Sequence, residues 1–296
     1  MTSWRRALVL GGGGLIGVAW ESGLCAGLFE HEVDLRECDA FVGTSAGAIN
    51  CSRLASGHWP PAPNDPPLPA ARGANLDPSQ LDAQALGAIF RIWSKQEGFS
   101  PAAAREMGAL ARGLYREREA SWIEGIAAIA GANAWPDKPF FVCSVDADSG
   151  ERAIFDASGG VALGHAIAAS AAVPGLFPCV LIGGRLCMDG QIHSSTNADL
   201  LLTHPHAQKP DEVVIAMPTN RHTAPAIGAQ AERAVETEVA ALEAAGCRVH
   251  WITPSAEQVV RIGANLMDSA KTGEAYAVGL ETGRAWAERL GARGRA

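Results

Sequence analysis

The pentapeptide Gly43-Thr44-Ser45-Ala46-Gly47 directly follows the apolar run Ala40-Phe41-Val42. A G-x-S-x-G sequence between a strand and a helix sets its serine on a tight, strained turn, where only glycine fits on either side and the hydroxyl projects above the sheet edge. Ser45 is therefore the candidate nucleophile, and Gly43 and Gly47 are the glycines of its elbow. A second glycine cluster, Gly11-Gly12-Gly13-Gly14, closes the apolar run at residues 7–10 and has the character of a donor loop for an oxyanion. A serine hydroxyl is a poor nucleophile until a base accepts its proton. Asp189 is the best-placed carboxylate: it ends the run Leu186-Cys187-Met188 and precedes Gly190, a strand terminus with a tight turn behind it. Asp-Gly is also a common turn pair, so the weight of Asp189 comes from the blocks around it.

A sheet edge and helices must hold these residues. Residues 7–10 and 40–42 read as strands, and residues 15–32 and 46–56 as the helices that follow them, so the chain opens with two parallel strands. The stretch 58–73 carries Pro60, Pro61, Pro63, Pro66, Pro67 and Pro69 and reads as an irregular surface loop. Asp77-Pro78 and Ser100-Pro101 each read as a cap followed by proline at a helix start, which makes residues 77–131 a mainly helical insertion. Hairpins follow at 140–155 and 179–188, with a small-residue helix at 161–172 between them. Strands at 212–217 and 248–252 flank a helix at about 224–245, and the capping box Ser255-x-x-Gln258 opens the final helix. The chain thus reads as a single α/β domain over residues 1–296, three layers with a mainly parallel sheet between helices.

Composition excludes several classes. The net charge of −8, without any lysine or arginine block, builds in no attraction to nucleic acid. Seven widely spaced cysteines with no C-x-x-C pair read as reduced core residues rather than metal ligands, which suits a cytoplasmic protein. Arg5 and Arg6 precede an apolar stretch, but four glycines break it at once, so neither a signal peptide nor a transmembrane helix is expected.

The chain resembles the bacterial patatin-like phospholipase family. The likeness rests on four blocks in order: Gly11-Gly12-Gly13-Gly14-Leu15-Ile16-Gly17, the elbow at 43–47, the small-residue segment ending Val173-Pro174-Gly175-Leu176-Phe177-Pro178, and Asp189-Gly190. The resemblance implies a patatin-like fold and a serine-dependent lipid acyl hydrolase with no metal, nucleotide or other cofactor. It implies a Ser45–Asp189 dyad acting through an acyl-enzyme, with the N–H groups of Gly12, Gly13 and Gly14 as the oxyanion hole. The partner would be a lipid or other acyl ester, met by transient peripheral contact with a membrane. Two positions depart from the family pattern: Leu15 and Ile16 stand where a basic residue is usual, and Gln191 follows Asp189-Gly190 where a small residue is usual.

Rival readings remain at this level. Gly12-x-Gly14-x-x-Gly17 fits the dinucleotide fingerprint, but no acidic residue ends the second strand, and no Gly-Lys-Ser or Gly-Lys-Thr follows for a P-loop. His193, His222 or His250 would make a Ser-His-Asp hydrolase in which Asp189 only orients the ring. Asp146 and Asp148 read as turn residues, and His204 and His206 as loop. Trp59, Trp93 and Trp122 are the aromatics to watch for an acyl pocket. An acyltransferase and a catalytically weak lipid-binding module stay open beside the hydrolase.

Overall fold

Strands covered by helices on both faces carry apolar residues at nearly every position. A computed structural model describes residues 4–59, 78–131 and 133–291 of the protein, and its central strands follow that pattern. The elements are β1 (Arg6–Leu10), α1 (Gly14–Phe29), β2 (Ala40–Thr44), α2 (Ala46–Ala55), α3 (Ala83–Ser94), α4 (Pro101–Ala111), α5 (Glu119–Ala130), β3 (Phe140–Asp146) and β4 (Arg152–Phe155). They continue with α6 (Leu163–Ser170), β5 (Val180–Ile182), β6 (Arg185–Asp189), α7 (Leu200–Thr203), β7 (Glu212–Ala216), α8 (Pro225–Ala244), β8 (Arg248–Ile252), α9 (Ala256–Ile262) and α10 (Thr272–Gly291). Every residue of β2, β3 and β7 is buried.

The described strands form an eight-stranded sheet in the order β5-β6-β3-β2-β1-β7-β8, with β4 paired to β3. The pairs β3–β2, β2–β1, β1–β7 and β7–β8 are parallel, whereas β4 and β6 run antiparallel to β3 and β5 antiparallel to β6. Leu8, Leu10, Phe41 and Val142 face one layer of helices together with Trp20 and Leu24 of α1, Leu54 of α2 and Ile167 of α6. Ala7, Val9, Val42 and Phe141 face the other layer with Val235 and Leu242 of α8. The expected three-layer, mainly parallel α/β architecture is the observed one.

The helical insertion differs at its start. Pro78 opens a short 3-10 turn, Pro78–Gln80, and α3 is capped by Asp82, whose side chain accepts the Ala85 N–H. Asp77 and residues 60–73 of the proline-rich stretch lie outside the described residues. The Ser100 cap and Pro101 start of α4 are as expected. The final helical stretch is divided into α9 and α10 after Gly263, whose φ of +83° ends α9.

Close packing of α1 on α10 anchors the first helix. Gly23 and Gly27 of α1 meet Gly279 and Gly283 of α10. A methyl group on Gly23 would stand 2.0 Å from the Tyr276 carbonyl oxygen, and one on Gly279 2.0 Å from that of Trp20. Two small-residue faces spaced by four let the helix backbones touch.

Candidate active site

Ser45 joins β2 to α2 with φ 54° and ψ −117°, a left-handed conformation that costs a residue with a side chain on the order of 1–3 kcal/mol. The close packing of both neighbours holds it there. A Cβ on Gly47 would lie 1.9 Å from the Leu10 carbonyl oxygen, and one on Gly43 2.5 Å from Ala48 Cα. The Gly47 N–H donates to the Gly11 carbonyl at 3.0 Å, tying the elbow to the glycine loop. The Ser45 N–H donates to Ser170 Oγ at 2.9 Å, from the end of α6.

Strand register brings Asp189 to the same point. Cys143 of β3 pairs with Thr44 of β2, and the next residue, Ser144, pairs with Asp189 of β6. Because β4 occupies the opposite edge of β3 at both residues, β2 and β6 share one edge and meet end to end. The Ser45 hydroxyl donates to Asp189 Oδ2 at 2.8 Å. Asp189 Oδ1 accepts the Gln191 N–H at 2.8 Å, and the Asp189 N–H donates to the Ala172 carbonyl at 2.9 Å. The carboxyl is fully buried, and burial pushes its pKa up to about 7 against the opposing pull of the Gln191 N–H and the Ser45 hydroxyl. A carboxylate poised near neutrality and bonded to a serine hydroxyl is equipped to take that proton.

The glycine loop passes beside the elbow. Gly12 departs from the expectation for an oxyanion donor: its N–H is spent on the Ser195 carbonyl at 2.9 Å, a bond that ties the loop to the segment after Asp189. Gly13 and Gly14 stand at the start of α1, where first-turn N–H groups have no helical acceptor, and they have no hydrogen-bond acceptor among the described residues. Gly14 takes a φ of +59° at that start. Ile16, at one of the two positions where the family usually has a basic residue, is fully buried in the core, and its N–H donates to the Leu266 carbonyl at 3.1 Å.

An apolar cavity of about 270 Å³ opens at Ser45 and Gly14. Its walls come from Phe90 and Trp93 of α3, Val173 and Leu176, Ile227 at the start of α8, and Leu266 and Met267 between α9 and α10. Gln191 also lines it, with its side-chain oxygen packed against Gly12. Of the three tryptophans singled out, Trp93 alone borders this cavity. Trp122 is stacked on Phe177 with ring centroids 4.1 Å apart, and Trp59 packs against Phe29 and Arg36.

The family model for patatin-like phospholipases matches residues 8–202 and so takes in the glycine loop, the elbow and Asp189. The chain belongs to the patatin-like phospholipase family. Among solved structures it is similar to the type III effector protein ExoU, at 16% identity and a TM-score of 0.40 over 97% of this chain and 53% of that one. It is also similar to VipD from Legionella pneumophila, at 14% identity and a TM-score of 0.45 over 97% of this chain and 67% of that one. The chain thus spans about half the length of the first and two thirds of the second. No curated protein sequence gives a significant match.

In this member of the family, no imidazole among the described residues stands between Ser45 and Asp189, whose side chains bond directly. His193 Nδ1 contacts Asn197 Oδ1 at 3.0 Å, and burial, with Arg152 nearby, pulls the His193 pKa down to about 4. His250 Nε2 contacts Glu212 at 3.0 Å near the other end of the sheet, and His222 is exposed. The sequence reading missed two residues that hold the site. Ser170 is one, supplying the oxygen that receives the Ser45 N–H. Asn197 is the other: fully buried with φ 52°, it donates through Nδ2 to Thr44 Oγ1 at 3.0 Å and to the Ser194 carbonyl at 2.7 Å, bracing the residue before Ser45. Glu238 secures that turn through the Thr196 hydroxyl and the Ala198 N–H, and burial pushes its pKa up to about 7. A lone asparagine and a lone serine carry no spacing signal, so only the fold reveals them.

Proposed function

We propose that this protein hydrolyses carboxylic esters of lipids through an acyl-enzyme on Ser45. Asp189 accepts the hydroxyl proton as Ser45 Oγ bonds to the ester carbonyl carbon. The oxyanion receives hydrogen bonds from the Gly13 and Gly14 N–H groups, and the proton passes from Asp189 to the departing alcohol as the C–O bond breaks. Water then attacks the acyl-enzyme, again giving its proton to Asp189, which returns one to Ser45 Oγ as the fatty acid leaves. The observation that carries this reading is the 2.8 Å hydrogen bond from a strained, buried serine to a carboxylate whose pKa burial sets near neutrality. The apolar cavity beside Ser45 suits an acyl chain, and the family supports ester hydrolysis.

The test is mass spectrometry of the native chain, Ser45→Ala and Asp189→Asn after exposure to a long-chain fluorophosphonate. Labelling at Ser45 that vanishes in the first variant and slows greatly in the second is expected. A native chain left unlabelled while a control esterase is modified would remove Ser45 as nucleophile and point to a lipid-binding role.

A further inference from the structure

Asp156, His204 and His206 bring one carboxylate and two imidazoles together at a place the proposed hydrolysis does not use. Asp156 directly follows β4, and His204 and His206 flank Pro205 directly after α7. Because β4 runs antiparallel to β3 and Phe155 pairs with Val142, Asp156 lies toward the sheet end opposite the Ser45 elbow. The three donor atoms all lie within 4.8 Å of one another. His206 Nδ1 stands 2.6 Å from Asp156 Oδ2, and His204 Nε2 stands 3.9 Å from the same oxygen. Donors of a tetrahedral zinc site, bonded at 2.0–2.2 Å, are about 3.3 Å apart, so these atoms need only small displacements to surround an ion.

The ligands are also held in place. Ser158 donates to Asp156 Oδ1 through its N–H at 2.9 Å and its hydroxyl at 2.6 Å, which leaves Oδ2 to face the imidazoles. The His204 ring packs on Phe141 at 4.5 Å, and its side chain is only 13% exposed. Pro205 limits the freedom of the backbone between the two histidines. Arg152 of β4 grips Asp199, just before α7, with hydrogen bonds of 2.7 and 2.8 Å, so both halves of the cluster are already joined. His206 is 55% exposed and leaves the solvent side open for a water ligand. The His206 N–H reaches His204 Nδ1 at a long 3.3 Å; coordination through Nε2 moves the imidazole proton to Nδ1 and gives up that contact for the metal bond.

We propose that Asp156, His204 and His206 form a binding site for a divalent cation of the zinc class, completed by water, that clamps the segment after α7 onto the end of β4. Two imidazoles and one carboxylate favour such an ion over calcium or magnesium, which take oxygen ligands. The ion closes a loop of 50 residues that contains Asp189 and Asn197, so its effect is on the stability of the fold that carries the site.

The untagged chain, stripped with chelator and dialysed, is titrated with Zn²⁺ by calorimetry and with Co²⁺ by visible absorption, and melted with and without Zn²⁺. His206→Ala and Asp156→Asn are measured alongside. The expected result is one ion per chain, cobalt d–d bands, and a melting point raised by about 5 °C at an ion concentration 100-fold above Kd. Each variant should bind at least tenfold more weakly, and fluorophosphonate labelling of Ser45 should stay unchanged. Since the His206 side chain is half exposed, its alanine variant keeps the stripped chain's melting point and tests the ligand rather than the fold. Binding below a tenth of an ion per chain would overturn the proposal, as would stoichiometric binding that His206→Ala leaves intact.

Discussion

At Asp189 burial sets both chemistry and cost. An unfolded aspartate loses its proton near pH 3.9, whereas the native carboxyl is pushed up to about 7. Between those values the native state holds a proton that the unfolded chain has released. Stability from this group is therefore fully present below about pH 4 and is lost as pH rises to about 7. Asp189→Asn, which keeps an acceptor for the Gln191 N–H, is expected to be more stable than the native chain at pH 8 by about 2 kcal/mol or more in urea unfolding, while losing roughly 10³-fold or more in esterase rate. The same ionisation controls turnover in the proposed mechanism. Below pH 7, kcat/KM should fall about tenfold per unit with a single midpoint near 7, and a profile flat from pH 5 to 8 would exclude Asp189 as base.

Among the elements, backbone contacts without intervening side chains position the machinery. The N-terminus of α2 sits against the end of β1 through Gly47, and α1, which begins at the glycine loop, sits against α10 through Gly23, Gly27, Gly279 and Gly283. Gly47→Ala drives a methyl group into the Leu10 carbonyl and should both abolish fluorophosphonate labelling and lower stability by about 3 kcal/mol. Gly283→Leu acts farther from the chemistry. Its side chain collides with the Leu24 carbonyl, so α1 must shift and carry Gly14 with it. The expected outcome is a lower melting point together with slower Ser45 labelling, and normal labelling in a destabilised variant would show that α10 supports the fold alone.

For the molecule as a whole, the family match and the central sheet differ in extent. The match ends at residue 202, yet β1, which leads into the glycine loop, is paired on one side by β7, and β7 in turn by β8. The cavity wall at Leu266 and Met267 and the helix α10 also lie beyond the match. A chain cut after residue 206 would expose the edge of β1 and the Trp20–Leu24 face of α1, and should be insoluble or lack a cooperative unfolding transition. A soluble, fluorophosphonate-reactive fragment would show that the last third is dispensable.

Local constraints were legible in the sequence. Ser45, Gly43 and Gly47 announced themselves because a strained turn tolerates few residue types at fixed spacing, and the strands because full burial demands continuous apolar runs. The Ser255 capping box is legible together with its partner Gln258, since the motif closes within one turn. The paired G-x-x-x-G faces of α1 and α10 were also written in the sequence, but their meaning depends on which helices meet. Long-range pairing decided the rest: that Ser144 brings Asp189 to the end of β2, that Ser195 claims the N–H of Gly12, and that Asn197 braces Thr44. These contacts join residues far apart in the chain, where spacing and periodicity carry no information, and only the packed sheet determines which donor meets which acceptor.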